Sequence, residues 1–500
     1  MNQELAGKRV VVAGLGLFGG GLGAARWALA QGAMVTVTDL RDAEVLAPTL
    51  AELAEAPGQD RLSLTLGDHV EADFQNADLI VLNPGIPPSA KVMGMAASSP
   101  GRVTTAMALT LELAKCRVAA VTGTQGKSST ATFLTQILRH AGRSVEVGGN
   151  IGGSLLESVS DLGPDDVLVL ELSSYQLHHL PQDLEGVLDL AAVTNLGADH
   201  LAWHGSLGAY HGAKHRIWSL LRPGGTALAP REVAGAVEAA LRPGIELVTH
   251  GPDGEARVGQ AGEFLLRGTV LGHLGDLTVP GDFQRHNVAC ALAAAHRLGV
   301  SEEDCQTAVS HLDGLPHRMQ CLGTWTAPSP HGAAPQFRVF DNGISTTPDS
   351  TLAAMESIDR ESRSTATKLQ TPKMAQRVLL AGGAAKTGLE FGPLADYAAQ
   401  HGWLVAPFGR AESEIRHALT EKGTQALPGA PGEAAQRSNS GGATMENVWQ
   451  KVLGSLSDGA TVLFSPACAS FDAFPNFQSR AVAFRACLRA SATERKNTRD

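Results

Sequence analysis

The stretch that decides the fold is Val118-Ala-Ala-Val-Thr-Gly-Thr-Gln-Gly-Lys-Ser-Ser129. Its first four residues are a short, wholly apolar run, which is typical of a parallel β-strand covered by helices on both sides. A glycine-rich loop follows, and then the amphipathic segment Thr130–His140, which is expected to be a helix. The stretch therefore predicts an α/β fold with a phosphate-binding loop between a strand and the N-terminus of a helix.

The same loop predicts ATP binding. Backbone amides of such a loop surround triphosphate oxygens, the Lys127 ammonium neutralises the β- and γ-phosphates, and the Ser128 hydroxyl faces Mg²⁺. The generic pattern GxxxxGK[ST] has glycine where this chain has Val121, so the match is incomplete. The predicted ATP-binding residues of the loop are Gly123, Thr124, Gln125, Gly126, Lys127, Ser128 and Ser129.

A second glycine-rich loop, Gly14–Gly19, follows the apolar run Val10–Ala13 and fits the pattern GxGxxG. Asp39 lies 20 residues beyond Gly19, at the end of the next strand-like run. This fingerprint predicts a nucleotide-like ligand, and by itself it suggests NAD. The alternative is a tight turn that binds nothing. Because an oxidoreductase needs no triphosphate site, the two loops together favour an enzyme that uses ATP to activate a substrate held by the first domain.

Composition limits the remaining classes of function. A chain of 500 residues has room for about three domains. The net charge of -10, without long runs of one sign, argues against nucleic acid or an anionic membrane as a partner. Six cysteines without paired spacing suggest reduced thiols. Neither a signal peptide nor an apolar run of about 18 residues is evident, so we expect a cytoplasmic protein without a membrane span.

Strand-like and helix-like runs alternate along most of the chain, as in doubly wound sheets. The expected strands are Val10–Ala13, Met34–Thr38, Leu79–Leu82, Val118–Val121, Val167–Leu170 and Ala192–Asn195. Asn287–Leu298 is a further amphipathic stretch, Leu322–Pro335 resembles a linker, and Arg360–Gln376 and Gly423–Gly442 resemble surface loops. The expected domains are 1–112, 113–323 and 324–500.

Several motifs, in order, resemble those of the Mur ligase family of ATP-dependent amide ligases, and in particular its glutamate-adding members. The resemblance covers nearly the whole chain. The motifs are GLGLFG (Gly14–Gly19), VTDLR (Val37–Arg41), NPGIP (Asn83–Pro87), GTQGKSS (Gly123–Ser129), GNIG (Gly149–Gly152), ELSSYQL (Glu171–Leu177), DHLAWHGS (Asp199–Ser206), AKHRI (Ala213–Ile217), RHN (Arg285–Asn287), LPHR (Leu315–Arg318), GGAAK (Gly382–Lys386) and SPACASFDAFPNF (Ser465–Phe477).

The resemblance implies a Rossmann-like UDP-binding domain, a P-loop-type central ATPase domain and a Rossmann-like C-terminal domain. It implies that glutamate, with the D form favoured, is joined to UDP-N-acetylmuramoyl-L-alanine through an acyl phosphate, in cytoplasmic peptidoglycan synthesis that serves cell shape and cell division. ATP and Mg²⁺ are the expected cofactors, and the expected partners are these small molecules alone, with the protein a monomer. L-glutamate or another amino acid is the alternative within the same class.

The resemblance also assigns roles to the first two domains. Lys127, His200 and Lys214 would be catalytic, with Lys214 carbamylated. Ser128, Glu171, His200 and the carbamylated Lys214 would bind Mg²⁺, while Asn287 and Arg318 would contact ATP. Zinc at Asp199, His200 and His204 is disfavoured because no fourth ligand or HExxH spacing supports it. The implied UDP-sugar site consists of Gly14, Leu15, Gly16, Leu17, Phe18, Asp39, Arg41, Asn83 and Asn150.

The third domain would hold the incoming amino acid. The implied contacts are His317, Thr346, Lys386, Ser465, Phe471 and Phe474. The chain departs from the family pattern here, because Asn342 replaces an acid and Ile344 replaces a lysine. These departures bear on which amino acid is used, and not on the ligase chemistry. An NAD-dependent oxidoreductase and a catalytically silent binding protein are the alternatives from other classes, and they leave Lys127, Glu171 or Lys214 without a role.

Overall fold

The computed structural model describes residues 5–17, 19–277, 282–328, 334–369, 375–385, 389–424, 426–427 and 443–495. The chain divides into two compact units. One contains the described residues of Met1–Leu277 and Arg285–Leu312, and the other contains those of Thr278–Gln284 and Asp313–Asp500. Two sheets belong to the first unit and a third sheet belongs to the second.

The first sheet is parallel throughout, with the strand order β3-β2-β1-β4-β5. Its strands are β1 (Arg9–Ala13), β2 (Met34–Asp39), β3 (Leu62–Leu66), β4 (Leu79–Leu82) and β5 (Arg102–Thr105). The helices of this region are α1 (Gly20–Ala30), α2 (Ala47–Ala54), α3 (Glu71–Phe74), α4 (Lys91–Ala97) and α5 (Ala106–Leu113). Apolar residues of the central strands β1 and β4 are buried on both faces, as the sequence predicted for strands covered by helices.

The second sheet has nine strands in the order β14-β13-β12-β11-β10-β9-β6-β8-β7. They are β6 (Arg117–Thr122), β7 (Val145–Gly149), β8 (Val167–Glu171), β9 (Leu188–Val193), β10 (Leu221–Pro230), β11 (Glu246–His250), β12 (Ala256–Val258), β13 (Glu263–Leu266) and β14 (Thr269–His273). The helices are α6 (Lys127–His140), α7 (Ser174–His179), α8 (Leu201–His204), α9 (Leu207–His215), α10 (Ala234–Ala240), α11 (Asp282–Arg297) and α12 (Glu302–Ala308). β6 lies between β8 and β9, with all three parallel, so their carboxyl ends meet at one edge.

The third sheet has the order β18-β17-β19-β16-β15-β20 and is parallel from β18 to β16. Its strands are β15 (Gln320–Thr326), β16 (Gln336–Asp341), β17 (Arg377–Gly382), β18 (Trp403–Phe408), β19 (Ala460–Ala467) and β20 (Thr493–Glu494). The helices are α13 (Pro348–Leu369), α14 (Gly392–His401), α15 (Glu412–Glu421), α16 (Met445–Ser455) and α17 (Phe477–Ser491). The predicted α/β class is confirmed, and the structure has three sheets; the predicted domain boundaries stay a prediction.

Three local predictions were wrong. The strand expected at Ala192–Asn195 is β9, which ends at Val193, because Thr194 and Asn195 leave the sheet and hydrogen-bond to the phosphate loop. The linker expected at Leu322–Pro335 begins inside β15, which pairs with β16. The loop expected from Arg360 is helical to Leu369, since no glycine or proline interrupts the segment. Residues 370–374 and most of Gly423–Gly442 lie outside the described residues.

None of the described helices is both long and apolar enough to span a membrane. All six cysteines are described and are free thiols, and four of them are buried: Cys116, Cys290, Cys305 and Cys468.

Candidate functional site

The phosphate loop joins β6 to α6, and two of its glycines are required by their surroundings. Gly126 has a φ of 77°, and a Cβ on it would lie 2.4 Å from Asn287 Oδ1. A Cβ on Gly123 would lie 2.0 Å from Thr194 Oγ1. The loop therefore packs too closely for side chains at these positions. Asn287 lies beside the first turn of α6, and its predicted contact with ATP stays a prediction.

Neighbouring loops fix the shape of the phosphate loop. The amide of Gln125 donates to Asn195 Oδ1 at 3.0 Å, and the amide of Gly197 donates to Thr124 Oγ1 at 2.8 Å. Lys127 donates to the carbonyl oxygens of Gly123 and Thr124, both at 3.0 Å, so its ammonium lies folded over the loop. Ser128 is half-buried in the first turn of α6, where the helix dipole favours an anion.

A buried carboxylate lies beside this loop. Glu171 ends β8 and pairs with Val121 of β6, and only 1% of its surface is exposed. Its Oε1 accepts a hydrogen bond from Asn150 Nδ2 at 2.9 Å. Its Oε2 is buried and has no hydrogen-bond partner among the described residues. Because an unpaired buried carboxylate oxygen is costly, this atom fits the binding of a cation such as Mg²⁺.

Asn150 was assigned to the UDP-sugar site by resemblance. Its side chain contacts Glu171, and its backbone amide donates to the Glu171 carbonyl oxygen at 2.8 Å. Asn150 therefore lies at the carboxylate end of the site, and its predicted contact with the sugar stays a prediction.

Lys214 on α9 is almost completely buried, with 1% of its surface exposed. Its Nζ donates to the Gly123 carbonyl oxygen at 2.7 Å and lies 4.7 Å from the centre of the Tyr210 ring. Burial is the main cause that lowers the pKa of Lys214 to about 7, and the charge of Lys127 lowers it further. A large fraction of the amine is therefore neutral near pH 7, which is the form that reacts with carbon dioxide.

His200 lies at the start of α8 with a φ of 52°, a conformation uncommon for residues other than glycine. Its Nε2 lies 3.4 Å from Asp199 Oδ2, and its ring lies 4.9 Å from the Tyr175 ring. His204, one turn further on, hydrogen-bonds to Ser174 Oγ, and burial lowers its pKa to about 4.

Among the described residues, no group of three or more His, Cys, Asp or Glu side chains is arranged to hold a metal ion. The Mg²⁺ prediction relies instead on Glu171 and His200, together with the Ser128 hydroxyl, phosphate oxygens of ATP and a carbamylated Lys214. The structure brings the loop, Glu171 and Lys214 together. Glu171 pairs with Val121 at the end of β6, and both Lys214 and Lys127 donate to the Gly123 carbonyl oxygen.

The first glycine loop closes on Asp39, which is 4% exposed. Its two oxygens accept hydrogen bonds from the amides of Gly16, at 3.0 Å, and Arg41, at 2.9 Å. Asn83 donates to the Gly14 carbonyl oxygen at 3.0 Å. The predicted UDP-sugar residues Gly14, Gly16, Asp39, Arg41 and Asn83 are thus in one cluster.

Two neighbouring residues differ in what they can offer a ligand. Leu15 is fully buried, so only its backbone can face a ligand, whereas Leu17 is exposed. Phe18 lies outside the described residues.

The residues predicted to bind the incoming amino acid belong to the second unit. His317 Nδ1 lies 2.7 Å from Asp341 Oδ2, which also accepts a hydrogen bond from Arg485. His317 and Met319 both have positive φ, at 63° and 50°, so the backbone around Arg318 is strained. Thr346 is half-buried in the loop after β16. Lys386 lies outside the described residues.

Ser465 was expected to contact the amino acid, but it is fully buried in β19. Its hydroxyl lies 2.9 Å from Asn342 Nδ2 and 2.8 Å from Thr351 Oγ1. Ser465 therefore hydrogen-bonds to the neighbouring segments and is not accessible to solvent. Phe471 is 74% exposed and remains available to a ligand. Phe474 packs against the core instead.

Sequence reasoning missed Arg480 and Tyr210. Arg480 is fully buried on α17 and donates to the carbonyl oxygens of Cys468, at 2.9 Å, and Ala469, at 3.0 Å. Burial lowers its pKa to about 10. The sequence does contain an indication of this burial. Arg480 precedes the apolar residues Phe484 and Leu488 by four and eight positions, which places it on the same, buried face of α17. Tyr210, four residues before Lys214, lies on the same helix face, and its hydroxyl donates to Thr124 Oγ1 at 3.1 Å.

Comparisons with known proteins identify the family of the chain. The family model "Mur ligase MurD-like, N-terminal domain" matches residues 8–104, and "Mur ligase middle domain" matches residues 121–295. The chain is 30% identical to a UDP-N-acetylmuramoylalanine–D-glutamate ligase from Roseiflexus sp., over 97% of this chain and 98% of the relative. It is 32% identical to a protein of the same name from Methylobacillus flagellatus, over 96% of each.

The fold resembles that of a solved UDP-N-acetylmuramate-alanine ligase from Thermotoga maritima. The TM-score is 0.56 and the identity 17%, and the match covers 96% of this chain and 99% of that one. Identity of at least 30% over nearly the full length of both chains, together with the two matching family models, shows the relationship directly. The chain belongs to the Mur ligase family.

Proposed function

We propose that this protein joins D-glutamate to the carboxylate of UDP-N-acetylmuramoyl-L-alanine. As a Mur ligase it is an ATP-dependent enzyme that forms carbon–nitrogen bonds in peptidoglycan precursor synthesis. The observation that carries the proposal is the buried, unpaired Oε2 of Glu171 beside a phosphate loop that contains Lys127 and the closely packed Gly123 and Gly126. The curated relatives carry the name of the D-glutamate enzyme, which supports this choice of substrates.

Activation of the acceptor carboxylate by ATP would use the phosphate loop. The backbone amides and the N-terminus of α6 would hold the phosphates. Lys127, which donates to the carbonyl oxygens of Gly123 and Thr124 in this structure, would turn towards the transferred phosphoryl group. Glu171 and Ser128 would hold Mg²⁺, which neutralises phosphate charge during transfer. The acceptor carboxylate would take the γ-phosphoryl group, and ADP would leave. The neutral amine of the amino acid would then attack the acyl carbon, so that the new carbon–nitrogen bond replaces the bond to phosphate, phosphate leaves and the amine loses a proton.

A carbamylated Lys214 would supply a second anionic ligand. Its buried amine is neutral in large part near pH 7, and addition of carbon dioxide converts it into a carboxylate-like group. The ammonium of an unmodified Lys214 would repel the two cations next to it, the Lys127 ammonium and the Mg²⁺ of the proposed site. His200, on the neighbouring helix, is the second expected ligand of that metal site.

The acceptor would lie on the first sheet. The amides of the Gly14–Gly19 loop would hold its diphosphate, and Asp39 would accept a hydrogen bond from the uracil. Asp39 already accepts from two backbone amides, but a carboxylate has lone pairs left for a third donor. The departures at Asn342 and Ile344 bear on the amino acid, so L-glutamate is the alternative. We expect a cytoplasmic monomer.

The test is release of phosphate by the purified protein with ATP, Mg²⁺ and UDP-N-acetylmuramoyl-L-alanine, across a panel of amino acids. Turnover with D-glutamate well above that with L-glutamate is expected. The matched control is Glu171→Gln, which keeps the hydrogen bond from Asn150 but removes the charge, and it should lose most turnover. A clear preference for a diamino acid would overturn the substrate assignment, and tight binding of NAD would overturn the reading of the first domain.

A further inference from the structure

Helix α7 lies between the two substrate sites of the first unit. It begins three residues after Glu171, and a capping box formed by Ser173 and Gln176 fixes its first turn. Tyr175, in that turn, places its ring 4.9 Å from the ring of His200. The start of α7 is therefore tied to the carboxylate and to the histidine of the proposed metal sites.

The other end of α7 reaches the first sheet. His179, the last residue of the helix, is half-buried, and its Nε2 lies 2.8 Å from the carbonyl oxygen of Ile86. A carbonyl oxygen only accepts, so Nε2 carries the hydrogen and donates it. Ile86 belongs to Asn83–Pro87, which we call the acceptor turn.

The acceptor turn holds the first glycine loop. Asn83 donates through Nδ2 to the Gly14 carbonyl oxygen and accepts through Oδ1 from the Gly85 amide at 2.9 Å. A Cβ on Gly14 would lie only 2.8 Å from Asn83 Cβ, so the turn and the loop are in close contact. A shift of the turn would therefore displace the loop proposed to hold the acceptor diphosphate.

The ring of His179 is itself held in place. It meets the indole of Trp203 edge to face, with centroids 5.6 Å apart and an angle of 84°. Trp203 lies on α8, the helix whose N-cap is His200. Burial lowers the pKa of His179, so the ring is neutral at neutral pH.

We propose that His179 is a positioning residue that fixes the acceptor turn relative to α7, and so holds the first glycine loop in the arrangement that binds the UDP-linked substrate. This inference rests on the proposed function. A hydrogen bond that holds the turn equally in the ground state and the transition state contributes uniform binding, so its loss raises KM and leaves kcat unchanged.

Three variants of His179 separate its donor from its bulk. His179→Phe keeps an aromatic ring but leaves the Ile86 carbonyl oxygen unpaired. His179→Ala removes both the ring and the hydrogen-bond donor. Both should raise the KM for UDP-N-acetylmuramoyl-L-alanine about three- to tenfold, the usual effect of one lost hydrogen bond. The KM for ATP and kcat should stay within twofold. His179→Gln, whose amide nitrogen can reach the same carbonyl, should restore the KM.

The matched control is His178→Ala. His178 precedes His179 on α7, is exposed, and packs its ring against the same indole at 5.1 Å. No hydrogen bond joins it to the acceptor turn among the described residues. Its removal should leave both KM values within twofold. Thermal unfolding of every variant checks folding, since a merely destabilised enzyme loses kcat per total protein and keeps its KM.

Calorimetric binding of the acceptor to the full-length wild type separates the two claims. If the wild type binds UDP-N-acetylmuramoyl-L-alanine and His179→Phe binds it equally well, the positioning role is wrong and the proposed function stands. Failure of Gln to restore the KM, or an equal effect of His178→Ala, also overturns the role. If the wild type binds no such acceptor, the proposed function fails and this inference fails with it.

Discussion

Replacement of Lys214 tests the carbamate most directly. With a pKa of about 7, the amine is neutral in about nine-tenths of molecules at pH 8. An ordinary lysine with a pKa of about 10.4 would be neutral in less than about 1%. Burial, together with the charge of Lys127, thus raises the fraction of neutral, reactive amine by a factor on the order of 100.

Loss of an anionic group from a preorganised charged site costs about 100- to 1000-fold in kcat. We therefore expect at least about a 100-fold loss in Lys214→Ala, with acetate restoring part of it by filling the vacated position. Lys214→Glu should retain more activity than Lys214→Arg, because the sign of the charge matters more than the length of the side chain.

The assay is phosphate release at pH 8, with and without bicarbonate, for the wild type and all three variants. In the wild type, ¹³C-labelled bicarbonate should also give a carbamate resonance that Lys214→Ala lacks. Near-normal turnover of Lys214→Ala would refute the reasoning, as would an arginine variant that outperforms the glutamate variant. Calorimetric acceptor binding should be unchanged in every variant and controls for folding.

Three further outcomes are expected. Lys127→Ala should reduce turnover by at least about 100-fold while acceptor affinity stays within twofold, and a parallel loss of acceptor binding would contradict the assignment of two separate loops. Asp39→Ala should raise the KM for the acceptor about tenfold or more with little effect on the KM for ATP, because the carboxylate accepts from the Gly16 amide; an unchanged acceptor KM would exclude this role. His250 is buried, donates to the Val193 carbonyl oxygen at 2.7 Å, and has a pKa lowered by burial. As the pH falls, His250 is therefore protonated in the unfolded chain before it is protonated in the folded protein. The free energy of unfolding has its full value above about pH 6.5 and falls at lower pH by up to about 1.4 kcal/mol per pH unit. Urea unfolding of His250→Gln should show a shallower fall with pH, and an identical slope would contradict this.

The sequence by itself determined the features that arise within short segments. Lys127, Ser128 and the loop glycines lie within eight positions, so the strand, loop and helix bring them together whatever the rest of the chain does. The same holds for Gly14, Gly16 and the strand before them. Glu171 could be placed because the carboxyl ends of parallel strands meet at one edge of a sheet, and β8 is indeed next to β6.

Tertiary structure alone decided which side chains are buried and which distant segments meet. Ser465 lies in a motif that suggested a ligand contact, but the neighbouring loops enclose it and use its hydroxyl. The pKa of Lys214 depends on burial, which no local pattern shows. His179 and Ile86 are 93 positions apart, and Arg480 reaches carbonyl oxygens on several loops. Such contacts form because unpaired polar groups are costly inside a protein, and only the packed chain determines which partners are within reach.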